Sequence, residues 1–215
     1  MTTTTNLTAQ DIFRQAYENR YTWDELFPGY SADVTMLKGE SIQTGKVKID
    51  SNLNFDVNGV DDPECLQAIK NQLWEITIHR VNHSFEQTHG ENTFSFGNTD
   101  PSGALEILIG GKGTGNIYKV KDNTVCFVHR KIGNKIVNIE TFKTQNTEQG
   151  YLALDYDSIY ISPETGEVLG TKTFFKDSFE KVGKYYILSS RAVYNDQDMQ
   201  SPLVEFRFSN ICLIS

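Results

Sequence analysis

Cysteine is scarce in this chain. Cys65, Cys126 and Cys212 are the only three in 215 residues, far apart and in no C-x-x-C pair. An odd, scattered set excludes a disulfide framework and a zinc knuckle. Cys126 and Cys212 stand inside apolar runs, where cysteine is expected as a small buried hydrophobe. Basic charge is also short: twenty Lys and Arg face twenty-eight Asp and Glu, for a formal charge of -8. The densest basic cluster is "HRK" at 129–131. A surface of this sign repels nucleic-acid backbones and anionic membranes, so neither is an expected partner. No stretch approaches the ~18 consecutive apolar residues of a membrane-spanning helix. The opening "MTTTTNLTAQ" has neither the basic nor the apolar region of a signal peptide. The cytoplasm is therefore the expected location.

What is present is ordinary globular composition, 38% hydrophobic and 12% aromatic. A chain of this length buries enough surface to hold a core without metals or disulfides. One domain over 1–215 is expected, with 1–7 as a flexible tail. Thr8 is placed to cap a first helix, with Asp11 at its third position and Ile12, Phe13, Ala16 and Tyr17 at helical spacing. Pro28 and Gly29 end that region. Strand candidates follow in "YSADVTMLKG", "SIQTGKVKI" and "NLNFDV". A second helix is predicted from about Pro63 to Ser84, its start marked by Asp61, Asp62, Pro63 and Glu64. From about Thr93 the chain is a meander of long strands between turn signals such as "NTDPSG", "GGKGTG" and "SPETGE". The predicted fold is mainly β, of α+β type: a large curved antiparallel sheet of about nine to eleven strands, forming a half-barrel or barrel. The N-terminal helix accompanies it, and the second helix packs on its concave face.

Three of the four histidines fall in "EITIHRVNHSFEQTHG", 75–90, where Glu75, His79 and His83 are spaced four apart. This is not the H-E-x-x-H arrangement, because Glu75 precedes both histidines. On a helical wheel, Leu66, Ile69, Leu73, Trp74, Ile76, Ile78, Val81 and Phe85 fill a broad apolar arc, and Gln72, Glu75, His79 and His83 fall opposite. The histidines are read as a solvated face, and no metal or cofactor is expected. In "PLVEFRFSNICLI", Val204, Phe206, Phe208, Cys212 and Ile214 share one parity and are expected to face a core or an apolar cavity. "GGKGTG" lacks phosphate-loop spacing, the Asp155 and Asp157 pair is read as the wet side of a strand, and "NDQD" lacks the glycine and glutamate of a calcium loop. No catalytic residue is assigned.

From "DIFRQAYENRYTW" through "GYLALDYDSIYISPETGEVLGTKTFFKDSFEKVGKYYILSSR" to "EFRFSNICLI", the chain resembles a domain-of-unknown-function family of cyanobacteria and plant plastids. Its element order more loosely resembles that of bacterial lipoprotein carriers. That likeness implies an open half-barrel wrapped around helices, with an apolar cavity for acyl chains. The expected function is non-enzymatic binding of an apolar small molecule, a lipid or pigment, between sheet and second helix. Trp74, Ile78, Val81, Phe85, Phe206 and Phe208 are the expected ligand-binding residues. The alternatives are an assembly or scaffold protein acting through its outer surface, and an enzyme with its site at the cavity mouth.

Overall fold

A reciprocal cap starts the first helix. Thr8 Oγ1 accepts from the Asp11 N–H at 3.1 Å, and the Asp11 carboxylate accepts in return from the Thr8 N–H at 3.0 Å. Such a cap contributes about 1 kcal/mol. The computed structural model describes residues 7–196 and 198–214. All but Leu7 of the expected tail lies outside them.

In chain order the elements are α1 (Ala9–Glu18), β1 (Gly29–Lys38), β2 (Ser41–Asp50), β3 (Phe55–Asn58), α2 (Pro63–Arg80), α3 (Phe85–His89), β4 (Asn92–Thr99), β5 (Leu105–Gly111), β6 (Ile117–Lys121), β7 (Thr124–Ile132), β8 (Lys135–Thr147), β9 (Gly150–Ile161), β10 (Val168–Val182), β11 (Tyr185–Asn195) and β12 (Val204–Leu213). The fold is mainly β, a twelve-stranded sheet in the order β3-β2-β1-β12-β11-β10-β9-β8-β7-β6-β5-β4. The order is open, ending at β3 and β4. The pairings described in register are antiparallel. β4 opens the meander expected from about Thr93, and the twelve strands exceed the nine to eleven expected by one.

The chain divides into two compact units. The first holds the N-terminal residues to Tyr21 and His83–Lys172. Its core is Phe13, Ala16 and Tyr17 of α1, Phe85 of α3, and Ile107, Ile109, Tyr118 and Val120 of β5 and β6. The second holds Thr22–Asn82 and the chain from Thr173 onward. Here α2 lies against one face of the sheet, turning Cys65, Ile69, Leu73, Ile76 and Thr77 inward. The strand registers Met36↔Phe206, Phe206↔Arg191 and Arg191↔Asp177 put these four side chains on that same face.

Two sequence expectations need correction. The second helix stops at Arg80 rather than Ser84, because Val81 turns to extended backbone. Ser84 then caps α3 in a second reciprocal box with Gln87, so Phe85 begins another helix in the other unit. In β12 the parity reverses at Asn210, which has φ 53° and bonds Asp33 through its side chain at 2.7 Å. Ile211 therefore faces the core while Cys212 is exposed.

Candidate functional site

The wheel expected for α2 is rotated in the structure. Leu73 and Ile76 are packed, whereas Trp74 is 56% and Ile78 41% exposed on the other flank. Gln72 and Glu75, expected on the wet side, reach Arg191 instead. Arg191 Nη1 donates to Gln72 Oε1 at 3.0 Å and to Glu75 Oε2 at 2.7 Å, while Nε and Nη2 grip Asp177 at 2.8 and 2.7 Å. A buried strand arginine must be neutralised, and the nearest margin of the helix supplies part of the charge.

The Trp74 flank continues through Ile78 to the helix end at Val81. Val81 lines an open depression of about 220 Å³ with the apolar Trp23, Phe27 and Leu53 and the polar Asp24, Glu25, Ser51, Arg80 and Asn82. Trp23 and Phe27 stack at 3.9 Å with 13° between planes, and Tyr185 meets Phe27 edge-on at 5.0 Å. Trp23 is pinned to the end of α2 by its N–H to Arg80 O, 2.9 Å, and its indole N–H donates to Tyr186 O, 3.3 Å. Asp24 accepts from Lys184 and from the Tyr185 hydroxyl. The Lys184 hydrogen bond holds its carboxyl below the usual range.

Leu53 is the strained member of this group. It sits at φ 64° in the turn between β2 and β3, a conformation that asparagine or glycine adopts more easily. Asn52 and Asn54 flank it, yet the chain places the apolar residue at the strained position. Asp50 holds the turn, accepting from the Asn52 and Asn54 N–H groups at 2.8 and 2.9 Å. Strain of this kind concentrates at functional sites.

The six residues expected to bind ligand do not form one cluster. Trp74, Ile78 and Val81 share the α2 flank, while Phe206 and Phe208 are buried on the sheet face beneath α2. Phe85 is sealed in the core of the other unit. Trp23, Phe27 and Leu53 were not legible as site residues, since an aromatic after a helix and a leucine in a turn carry no spacing signal. The Glu75, His79 and His83 ridge is not formed: Glu75 serves Arg191, and His83 lies beyond the helix, its carbonyl accepting from Tyr17. Asp157 is buried and paired with Lys172 at 2.8 Å. "GGKGTG" forms the β5–β6 turn, and Asp198 closes a turn with Gln200 and Ser201. Among the described residues no three His, Cys, Asp or Glu side chains gather as metal ligands, and no helix is long and apolar enough to cross a membrane.

These features define an antiparallel β protein with a few helices, an exposed apolar flank on α2 and a recess of mixed lining at the end of that helix. The chain belongs to the family described as Protein of unknown function (DUF3386), matched over residues 4–214. No curated protein matches it. Similar solved structures include a LolA superfamily protein from Nitrosomonas europaea, at 9% identity and TM-score 0.35 over 98% of this chain and 95% of that one. Another is an outer membrane lipoprotein-sorting protein domain from Vibrio parahaemolyticus, at 11% identity and TM-score 0.38 over 97% and 92%.

Proposed function

We propose that the protein binds an apolar small molecule, such as a lipid or pigment, along the Trp74–Ile78–Val81 flank and the recess at its end. The observation that carries this reading is the exposure of Trp74 and Ile78 on a helix whose opposite side is packed. Together they present apolar surface on the order of 200 Å², given the area of a tryptophan. Covering it is worth at most about 5 kcal/mol at ~25 cal/mol per Å². A standard protein interface covers about 800 Å² on each partner. The flank is thus the right size for a ligand chain or ring and small for a protein partner. The strained Leu53 and the Trp23–Phe27 stack supply the walls at the far end.

The test is titration of tryptophan emission with a polyene fatty-acid probe. Binding is expected to be saturable in wild type and lost in Trp74→Ala and Ile78→Ala, each with stability within about 1 kcal/mol of wild type because the side chains are exposed. Absence of saturable binding, or a loss of ~3–5 kcal/mol in Trp74→Ala as for a packed aromatic, would overturn the reading. Protein concentration-dependent association lost in the same variants would favour a protein partner instead.

A further inference from the structure

We propose that the N-terminal unit carries a separate oxyanion site, in which the Arg20 and Arg130 guanidinium groups, the Tyr118 hydroxyl and the His89 Nε2–H receive one carboxylate or phosphate group.

The orientation of His89 follows from its neighbours. Asn92 Oδ1 accepts from the Gly113 N–H at 2.8 Å, so the Asn92 amide nitrogen is the atom facing His89 Nδ1 at 3.1 Å. That nitrogen donates, Nδ1 accepts, and the proton of the neutral ring sits on Nε2. The ring is held edge-on by Phe13 at 5.0 Å and Tyr17 at 4.9 Å, and meets Tyr118 at 6.1 Å and 89°. His89 is only 6% exposed, yet the one fully sealed polar side-chain atom without a partner among the described residues is the Tyr30 hydroxyl. The Nε2–H, which no acceptor among the described residues takes up, therefore keeps some contact with solvent.

Two arginines act on this ring. Arg20 lies 3.7 Å over the Tyr17 ring, its Nε donating to Tyr17 O at 2.9 Å. Its position is fixed where residues 19–21 pair with β9: the Tyr151 N–H donates to Asn19 O at 2.8 Å, and the Tyr21 N–H to Tyr151 O at 2.9 Å. Gly150, at φ 129°, permits that approach, because a Cβ there would run into the Asn19 carbonyl. Arg130, in the "HRK" segment of β7, is exposed and shares the sheet face of Tyr118, whose cross-strand partner Val128 lies two residues before it. Both arginines favour the uncharged His89 ring and act on the Tyr118 phenol in the same direction, towards loss of a proton. Burial first, then Arg20 and Arg130, lowers the His89 pKa to about 4, so the ring is a neutral donor at neutral pH.

Among the described residues, neither arginine forms an ion pair. Capping α1 and stacking on Tyr17 account for the Arg20 Nε and its ring contact. They leave its outer nitrogens and the placement of Arg130 unexplained. Two guanidinium groups without carboxylate partners, beside two neutral donors, suit an oxyanion, whose geometry matches the guanidinium fork. Nearby Arg14 differs, since it is paired with Glu86.

The experiment titrates the protein near neutral pH with inorganic phosphate and, separately, with octanoate. The His89 imidazole resonance, assigned by its loss in His89→Gln, is followed alongside calorimetry. At least one probe should bind saturably with Kd of about 1 mM or tighter. Arg130→Gln should weaken it by roughly tenfold or more, as expected for a lost charge-assisted contact, while Arg14→Gln leaves it unchanged. Phosphate alone would identify a phosphate ligand, and octanoate alone a carboxylate. Binding of neither probe, or equal weakening in both arginine variants, would overturn the proposal. The polyene titration at Trp74 is read separately, so either conclusion can fail without the other.

Discussion

Replacing Arg191 tests how α2 is held to its sheet. Arg191→Met keeps an apolar stem beside Phe206 and Phe175, the latter ring 5.5 Å from the guanidinium carbon. It removes two of the bonds to buried Asp177, at 2.7 and 2.8 Å. Removing one member of a buried pair costs ~3–5 kcal/mol. Glu75 side chain is 37% exposed and can turn to water, so most of that cost belongs to Asp177. Removing both members, as Arg191→Met with Asp177→Leu, should restore stability to within about 1 kcal/mol of wild type, because apolar replacement of a buried pair is often neutral. The Asp177→Leu single variant completes the cycle, and the coupling is the amount by which the two single losses together exceed that of the double variant. With a urea slope of about 2 kcal/mol/M, the single variant shifts the midpoint by roughly 2 M. Trp23 and Trp74, the two tryptophans of the chain, both lie in the α2 unit, so their emission follows the unit under test. A single variant within 1 kcal/mol of wild type, or a double variant no better than the single, would refute the reasoning.

Two further outcomes follow from buried groups. Tyr30 is fully buried with its hydroxyl unpartnered, and burial pushes its phenol well above the ordinary range. Tyr30→Phe should therefore be neutral or stabilising by about 1 kcal/mol in urea unfolding, and a comparable loss would reveal a partner for the hydroxyl. His89 is neutral in the folded chain and ionises more readily when unfolded, its pKa falling to about 4 from 6.5. The stabilisation is full above pH 6.5 and lost as pH falls toward 4, by about 3 kcal/mol at most. Urea midpoints across that range should slope in wild type and flatten in His89→Phe, where equal slopes would remove the histidine as the cause.

Much of the architecture was legible because local chemistry and tertiary packing agree. The Thr8–Asp11 box, Asp62 and Pro63 at the start of α2, and the hairpin turns are short-range signals that the fold keeps. Where the sequence misled, one residue overrode a periodic pattern. Asn210 adopts a left-handed conformation and flips the end of β12, a choice made by pairing with Asp33 across the sheet. Val81 breaks α2, and Ser84 restarts the chain as α3, although the apolar spacing runs on through Phe85.

The α2 wheel turns Ile69, Leu73 and Ile76 inward and His79 outward as expected, and departs at Gln72 and Glu75 for a different reason. A wheel ranks faces by hydrophobicity, and α2 is apolar on more than one side. Arg191, on a strand more than a hundred residues away, holds Gln72 and Glu75 at the edge of the face that Ile69, Leu73 and Ile76 bury. With those two residues committed to the sheet side, rotation about the helix axis brings Trp74 and Ile78 outward. An ion network that fixes α2 thus also sets which apolar flank is left open. The Arg191 cycle and the Trp74 titration bear on the same rotation: a change at Arg191 that lets α2 turn should alter probe binding even though Arg191 lies outside the ligand flank.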